Sequence, residues 1–257
     1  MKQNTNFLTT VKKTVQILKE FTKGHTELGI TEISRRTGFS KSAVNRIIQT
    51  LYEEEVLYRN PQNHKYRLGL AFFVMGSVVY NELAIGQIAI SILQKLKIQL
   101  KGNLYVVVYD RGEIIYLQII PESMQLVKEI GARNPPHATA GGKLLLAHQS
   151  QKELDRVLDQ KLLSYTKRTK TDRNELLQEL EQIKKNGYAV AIGEFREGVS
   201  SIAVPIYNDF NKVVAALSLT RKDVLLTKTQ IADIVSELKL CSRLITEKMI
   251  YNIYNNK

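Results

Sequence analysis

Residues 40–49 place a set of hydrogen-bonding side chains along one helical segment. Ser40 is suited to cap this helix, because its hydroxyl can accept a backbone N–H of the first turn. The polar face that follows is formed by Lys41, Ser42, Asn45, Arg46 and Gln49. Arginine can bind guanine through two hydrogen bonds, Asn and Gln can bind adenine, and Lys and Ser suit phosphate oxygens. The pattern therefore predicts contact with duplex DNA.

The elements around this segment predict a helix-turn-helix. Apolar residues recur at i, i+3, i+4 and i+7 on the opposite helix face, at Val44, Ile47, Ile48 and Leu51. A short helix is expected at about residues 31–36, and Thr37-Gly38-Phe39 supplies the turn. A polar helix face taken alone is often only solvated, so the prediction depends on the combination of elements.

A β-hairpin is predicted directly downstream. Residues 56–59 and 65–68 flank a turn at residues 60–64 that contains Asn60-Pro61. Such a hairpin beside a helix-turn-helix forms a wing, which can contact the DNA backbone or the minor groove. The cations available on this wing are Arg59, Lys65 and Arg67, with His64 at the turn.

Positive charge is concentrated towards the N-terminus. The net charge is +12 over 257 residues. Residues 1–68 contain 12 Lys/Arg against 6 Asp/Glu, a net +6, and the other 189 contain 25 against 19, also +6. The charge density favours a polyanionic partner for the first part of the chain, although a basic surface that serves solubility gives the same composition.

Composition disfavours several protein classes. The single cysteine, Cys241, and four scattered histidines give no disulfide framework and no metal-ligand spacing, so we expect no metal and no cofactor. The N-terminus lacks the pattern of a secretory signal, and the apolar stretch at residues 70–80 is short for a membrane span. We therefore expect a cytoplasmic protein without a membrane partner.

A second candidate site opens a helix in the C-terminal part of the chain, at Thr139-Ala140-Gly141-Gly142-Lys143. Backbone N–H groups at a helix start, made approachable by glycine, can bind an anion. Alternatively, the glycines only let the helix pack closely on a sheet. Leu144 follows Lys143 where a P-loop needs Ser or Thr, so nucleotide hydrolysis is disfavoured.

Four segments of the sequence carry a family resemblance. They are ITEISRRTGFSKSAVNRIIQTL, KYRLG, HATAGGKLLLA and NGYAVAIGEFREGVSSIAVPIYN. With these segments in this order, the chain resembles the IclR family of bacterial regulators. The resemblance implies an α+β fold, with a winged helix-turn-helix domain at 1–69, a linker helix at 70–84 and an effector-binding and oligomerisation domain at 85–257. That last domain would hold an antiparallel sheet flanked by helices, similar to GAF and PAS-like sensor folds.

The resemblance also implies a function. It is that of a sequence-specific transcriptional regulator, a repressor of a catabolic operon, which binds a palindromic operator as a homo-dimer or homo-tetramer. A small organic acid would be the effector, and the matching pocket positions are Ala140, Gly141, Ser201, Ser218 and Thr220. The chain departs from the family at Ala43, Glu55 and Ser201, where Thr, Gly and Cys are usual.

Two other functions fit parts of the sequence. An enzyme acting on a small acid could use Glu194 and Glu197, but a solvated turn is the favoured interpretation of this pair, and no nucleophile–base pair is evident. A constitutive DNA-binding protein would have a purely structural C-terminal domain. We expect a regulator without catalytic residues. The all-round apolar segment at 70–80 is interpreted as a dimer interface, with ordinary core as the alternative.

Overall fold

The computed structural model describes residues 8–22, 24, 26–83, 85–122, 130–222 and 226–255. The chain divides into two compact units, Met1–Glu82 and Leu83–Lys257. The sequence of residues 125–130 also predicts a strand, and these residues, apart from Ile130, lie outside the described ones.

The first unit is a winged helix-turn-helix. Its elements are α1 (Thr9–Glu20), α2 (Ile30–Thr37), α3 (Lys41–Glu53), β1 (Leu57–Arg59), β2 (Tyr66–Leu68) and α4 (Ala71–Glu82). Gly38 ends α2 with φ at 72°, a left-handed conformation that costs glycine little. Ser40 then caps α3, accepting the Ala43 N–H, as the sequence predicts. The predicted apolar stripe is also confirmed, because Val44, Ile47 and Ile48 are buried in this unit's core.

The wing is anchored to the segment before α2. Strands β1 and β2 pair antiparallel, with Leu57 opposite Leu68. Leu28 adds a bridge in which its N–H and carbonyl each bond Tyr66 at 2.9 Å. Asn60 and Asn63 donate side-chain hydrogen bonds to the Glu27 carboxylate, which lowers the pKa of Glu27. These contacts fix the hairpin against the helices.

The second unit is a six-stranded sheet covered by helices. Its elements are α5 (Ile85–Gln99), β3 (Asn103–Asp110), β4 (Glu113–Ile120), β5 (Arg133–Asn134), α6 (Ala140–Ala147), α7 (Gln151–Leu158), α8 (Arg173–Asn186), β6 (Ala189–Ile192), β7 (Val199–Tyr207), β8 (Val213–Lys222) and α9 (Lys228–Asn255). The strand order is β5-β4-β3-β8-β7-β6, and every neighbouring pair is antiparallel. This arrangement is the antiparallel sensor-type sheet that the family resemblance implied.

A hydrophobic core lies on each face of the sheet, because side chains alternate along each strand. Leu104 and Val106 of β3 join the core that α5 and α9 cover. Tyr105 and Val107 of the same strand join the core that α6, α7 and α8 cover. The candidate pocket residues belong to this second face.

Helix α4 presents apolar side chains that its own unit does not cover. None of its residues is buried, and Phe73 and Val74 are 74% and 62% exposed. Across the described residues, no single helix has the length and hydrophobicity to cross a membrane; only α4 and the start of α5 taken as a pair reach those criteria.

Candidate functional site

The exposed face of α3 carries most of the predicted DNA-contacting residues. Lys41, Ser42, Asn45 and Arg46 are all exposed. The hydroxyls of Ser40 and Ser42 lie 3.2 Å apart, at the N-terminus of the helix, where the partial positive charge of the backbone favours a phosphate. This end of α3 therefore combines hydroxyl donors, a lysine and a helix dipole.

Gln49 has a different environment from the other polar residues of α3. It is half-buried, and its amide nitrogen donates to the hydroxyl of Tyr66 at 3.1 Å. Tyr66 is itself buried in the core of this unit. The Gln49 side chain thus ties α3 to the wing, a contact that its spacing in the sequence did not indicate.

The wing cations lie on two faces of the hairpin rather than on one. The Arg67 guanidinium lies 4.5 Å from the ring centroid of its cross-strand partner Tyr58. Arg59 is paired across the strands with Tyr66, whose ring centroid lies 5.9 Å away. Because side chains alternate along a strand, Arg67 and Arg59 point from opposite faces, and Lys65, which directly precedes β2, is expected on the face of Arg67. A single surface therefore collects Lys65 and Arg67.

A small cavity lies between the N-terminus of α6 and the sheet. Its volume is about 50 Å³, roughly the space of four water-sized groups. The five predicted effector residues all line it: Ala140, Gly141, Ser201, Ser218 and Thr220. Further lining residues, which the sequence did not single out as pocket residues, include Tyr105, Tyr116, Ala191, Phe195, Arg196 and Val199.

The three hydroxyls among the predicted effector residues differ in what they can offer a ligand. Ser218 is buried and already donates its hydrogen to the Ile202 carbonyl at 3.2 Å. Ser201 accepts the Ala140 N–H at 3.4 Å, which leaves its own hydrogen available. Thr220 is directly opposite Ser201 across β7 and β8. Donation to an anion is therefore expected from Ser201 and Thr220 rather than from Ser218.

The glycines of α6 also meet the packing requirement that was the alternative interpretation. A Cβ on Gly142 would lie 2.5 Å from the backbone of Pro136. A Cβ on Gly141 would lie 2.8 Å from the Val107 side chain. Gly142 thus serves close packing, whereas Gly141 both packs on the sheet and lines the cavity.

Lys143 forms a buried ionic cluster next to the cavity. Its side chain is fully buried, and its ammonium group donates to Glu179 at 2.6 Å and to Glu194 at 2.7 Å. Burial raises the pKa of Glu194, and the Lys143 charge partly offsets that rise. The interpretation of Glu194 as part of a solvated turn is therefore wrong, because only 6% of this residue is exposed.

The segment that follows β6 is held from two sides. Thr166 and Thr169 donate hydroxyl hydrogen bonds of 2.6 Å to the carbonyls of Gly193 and Glu194. Lys143 binds the Glu194 carboxylate from the other direction. The chain that carries Phe195 and Arg196 to the cavity is thereby fixed in place.

The remaining candidates have structural surroundings. His137 is buried, and its Nε2 lies 2.9 Å from the Leu163 carbonyl oxygen. Cys241 is buried in the core beneath α9, where burial raises the pKa of its thiol. Among the described residues, no three or more His, Cys, Asp or Glu side chains lie together in a way that could hold a metal.

The fold and the exposed α3 face define a DNA-binding transcriptional regulator of the winged helix-turn-helix class. Residues 10–61 match the model of the IclR helix-turn-helix domain, and residues 78–247 match that of the bacterial transcriptional regulator IclR C-terminal domain. The chain therefore belongs to the IclR family, whose members are regulators rather than enzymes.

Characterised relatives extend over almost the whole chain. The HTH-type transcriptional regulator XynR of Escherichia coli is 32% identical over 94% of this chain and 97% of its own length. The regulator KdgR of the same organism is 30% identical over 89% of this chain and 88% of its own. A solved IclR of Thermotoga maritima has a TM-score of 0.71 at 27% identity, covering 95% of this chain and 99% of that one.

Proposed function

We propose that this protein is an effector-controlled repressor that binds a palindromic operator and responds to a small organic acid. The observation that carries the proposal is the cavity at the N-terminus of α6, which the Ser201 and Thr220 hydroxyls line. Helix N-termini and hydroxyl donors both favour a carboxylate. The volume of about 50 Å³ favours an acid of few non-hydrogen atoms.

DNA contact is assigned to the exposed cations and polar groups of α3 and the wing. Asn45 and Arg46 are proposed to reach base edges, while Ser40, Lys41 and Ser42 are proposed to bind phosphates. Lys65 and Arg67 share one wing face and are proposed to bind the backbone. Gln49 and Arg59 retain a role in DNA binding in this proposal, Gln49 through its bond to Tyr66.

Two-fold assembly is a further part of the proposal. A palindromic operator requires a protein with two-fold symmetry, and each half-site then receives one winged helix-turn-helix. The uncovered apolar face of α4 includes Phe73, Val74, Met75, Val78 and Val79. We assign this face to pairing of two copies of the chain, either in a dimer or in a dimer of dimers.

Repression of a catabolic operon fits the same arrangement. The repressor AllR of Escherichia coli is 27% identical over 85% of this chain. In such a system the operon would encode a pathway that consumes the acid. The acid would bind the repressor and cause it to leave the operator. The ligand can shift DNA affinity only through a preference for one state of the protein, and such couplings are typically about 1–3 kcal/mol.

The test is an operator titration with and without the acid. Candidate acids are first screened by the rise in melting temperature that a bound ligand causes. The screen also includes an acid larger than this volume favours, 4-hydroxybenzoate, with which an IclR homologue of Microbacterium hydrocarbonoxydans has been solved. We expect a 5- to 150-fold change in operator affinity in the wild type, in line with such couplings. Thr220→Val should reduce this response much more than Ser218→Ala, since the Ser218 hydrogen is already engaged. An acid that binds without any change in operator affinity would contradict the regulatory proposal.

A further inference from the structure

The charges on the cavity wall are unequal. Among the described residues that line the cavity, only Glu194 and Arg196 belong to the residue types that are charged at neutral pH. The Glu194 carboxylate is bound to the Lys143 ammonium at 2.7 Å. In the part of the chain that the structure describes, the Arg196 guanidinium has no carboxylate partner. Lys143 also binds Glu179, which the Lys170 ammonium approaches to 3.3 Å, so this cluster holds two cations against two carboxylates. The charge left without an opposite partner at the cavity is therefore that of Arg196.

The surroundings of Arg196 orient its side chain. Its guanidinium lies 5.5 Å from the centroid of the Phe195 ring, which also lines the cavity. Phe195 in turn contacts the Tyr165 ring edge to face, at a centroid distance of 5.0 Å. The Glu194–Lys143 bond and the Thr166 and Thr169 hydroxyls hold the backbone of the same segment. Arg196 thus projects from a fixed segment while remaining exposed to solvent.

We propose that Arg196 is the specificity-determining residue of the second unit, called the sensor unit from here on. Arg196 binds the effector's carboxylate at the cavity mouth and rejects neutral isosteres. This inference rests on the proposed function and names the group that selects the charge of the ligand. A guanidinium matches a carboxylate through two parallel hydrogen bonds. The hydroxyls of Ser201 and Thr220 then bind the remaining polar atoms of the ligand deeper in the cavity.

The occupant is accordingly a short monocarboxylate with a polar substituent. The carboxylate lies at Arg196, and about one or two further non-hydrogen groups extend towards Thr220 in a space of about 50 Å³. A neutral amide of the same shape would leave the guanidinium without an anionic partner. Selectivity for the acid over the amide follows from this charge and not from size.

The experiment compares matched acids and amides on the full-length protein. The probes are glycolate with glycolamide and lactate with lactamide, with binding measured by calorimetry and by melting temperature at low salt. We expect the acids to bind and the amides to bind at least tenfold more weakly, in line with the strength of charge-assisted hydrogen bonds. Arg196→Gln should lower acid affinity about tenfold and abolish the acid–amide difference, whereas Arg196→Lys should retain part of both.

Arg168→Gln is the matched control. Arg168 is exposed and lies beside Gly193, but it does not line the cavity. The Arg168→Gln variant should therefore keep the wild-type preference for acids. Equal binding of acids and amides by the wild type, or unchanged acid affinity in Arg196→Gln, would overturn the role of Arg196. Failure of every acid to bind the wild type would overturn it as well.

Different results would contradict the regulatory function and the role of Arg196. If acids bind through Arg196 but leave operator affinity unchanged, the regulatory function is wrong and the role of Arg196 remains. If acids change operator affinity equally in the wild type and in Arg196→Gln, the regulatory function remains and the role of Arg196 is wrong.

Discussion

The Lys143 ammonium group lies 2.7 Å from a carboxylate oxygen of Glu194, a residue 51 positions further along the chain. The pair joins α6 to the segment after β6, and the same ammonium group reaches Glu179 on α8. Removing one member of a buried ion pair leaves the other charged and without compensation.

Lys143→Met is therefore expected to destabilise the sensor unit by about 3–5 kcal/mol. Urea denaturation monitored by circular dichroism would measure the loss. The double variant Lys143→Met with Glu194→Gln should recover part of it, because the amide carries no charge to be stranded. Wild-type stability in the single variant would show that the cluster contributes nothing to the fold.

Some features of the first unit could be predicted because they depend on local spacing. The apolar stripe from Val44 to Leu51 and the Ser40 cap involve residues within one or two helical turns of each other. The residues of the wing face follow from strand alternation once the hairpin register is known. The link from Gln49 to Tyr66 spans 17 positions, and no local pattern indicated it.

The sensor cavity was only partly predictable. Ala140 and Gly141 belong to the helix start that the sequence marks as a candidate anion site. Ser201, Ser218 and Thr220 came from the family resemblance, whereas Arg196 and Glu194 depend on how distant elements fold together. One signal was present, because Lys143 interrupts the apolar run Ala140–Ala147, and a charge within a buried helix requires a partner. The sequence could not identify that partner.

Glu55 has a left-handed conformation that a glycine would adopt more easily. Its φ is 57°, and it occupies the turn between α3 and the wing, where the family resemblance implied a glycine. Glu55→Gly is expected to raise the stability of the first unit by about 1 kcal/mol, because the strain of a side chain at positive φ is removed. The melting temperature of the first unit's unfolding transition would measure the change.

The neighbouring Glu54 provides the control for that experiment. Its φ is −83°, which suits any residue, so glycine there only adds flexibility to the unfolded chain. Glu54→Gly should be neutral or slightly destabilising. A lower melting temperature for Glu55→Gly than for Glu54→Gly would contradict the strain argument.

His137 should make the stability of the sensor unit dependent on pH. Burial lowers the pKa of His137, an effect that the hydrogen bond to the Leu163 carbonyl opposes and the charge of Lys143 reinforces. Between this lowered folded-state pKa and the unfolded value of about 6.5, the unfolded chain binds more protons, so stability falls as pH falls. The slope contributed by one proton is at most about 1.4 kcal/mol per pH unit.

Urea denaturation from pH 7.5 to pH 5 would measure this dependence. His137→Gln should flatten it, since glutamine does not titrate in this range. His148→Gln is the control, because His148 lies at the C-terminal end of α6, where its Nδ1 is 2.9 Å from the Leu144 carbonyl oxygen. An identical pH dependence in the wild type and in His137→Gln would remove His137 as its source.

Salt should weaken operator binding in proportion to the number of phosphate contacts. Each contact contributes about 0.9 to the slope of log affinity against log salt. Lys41→Ala and Lys65→Ala should each reduce the slope by about that amount, whereas Asn45→Ala should weaken the cognate site selectively. Fluorescence anisotropy at several salt concentrations would separate these effects. Lys152→Ala, in the sensor unit, should leave the slope unchanged, and the same result for Lys41→Ala would contradict a phosphate contact.

The apolar face of α4 gives the last prediction, which concerns assembly. Phe73 is 74% exposed within a single chain, a large apolar area to leave in water. If two copies bury it against each other, Phe73→Glu should shift the protein to smaller species in light scattering and weaken binding to the full palindrome more than to a half-site. Tyr251→Glu alters another exposed apolar residue, on α9, and should leave α4 pairing intact. A wild-type chain that remains monomeric at micromolar concentration would exclude this interface, because the operator would then be bound without two-fold symmetry.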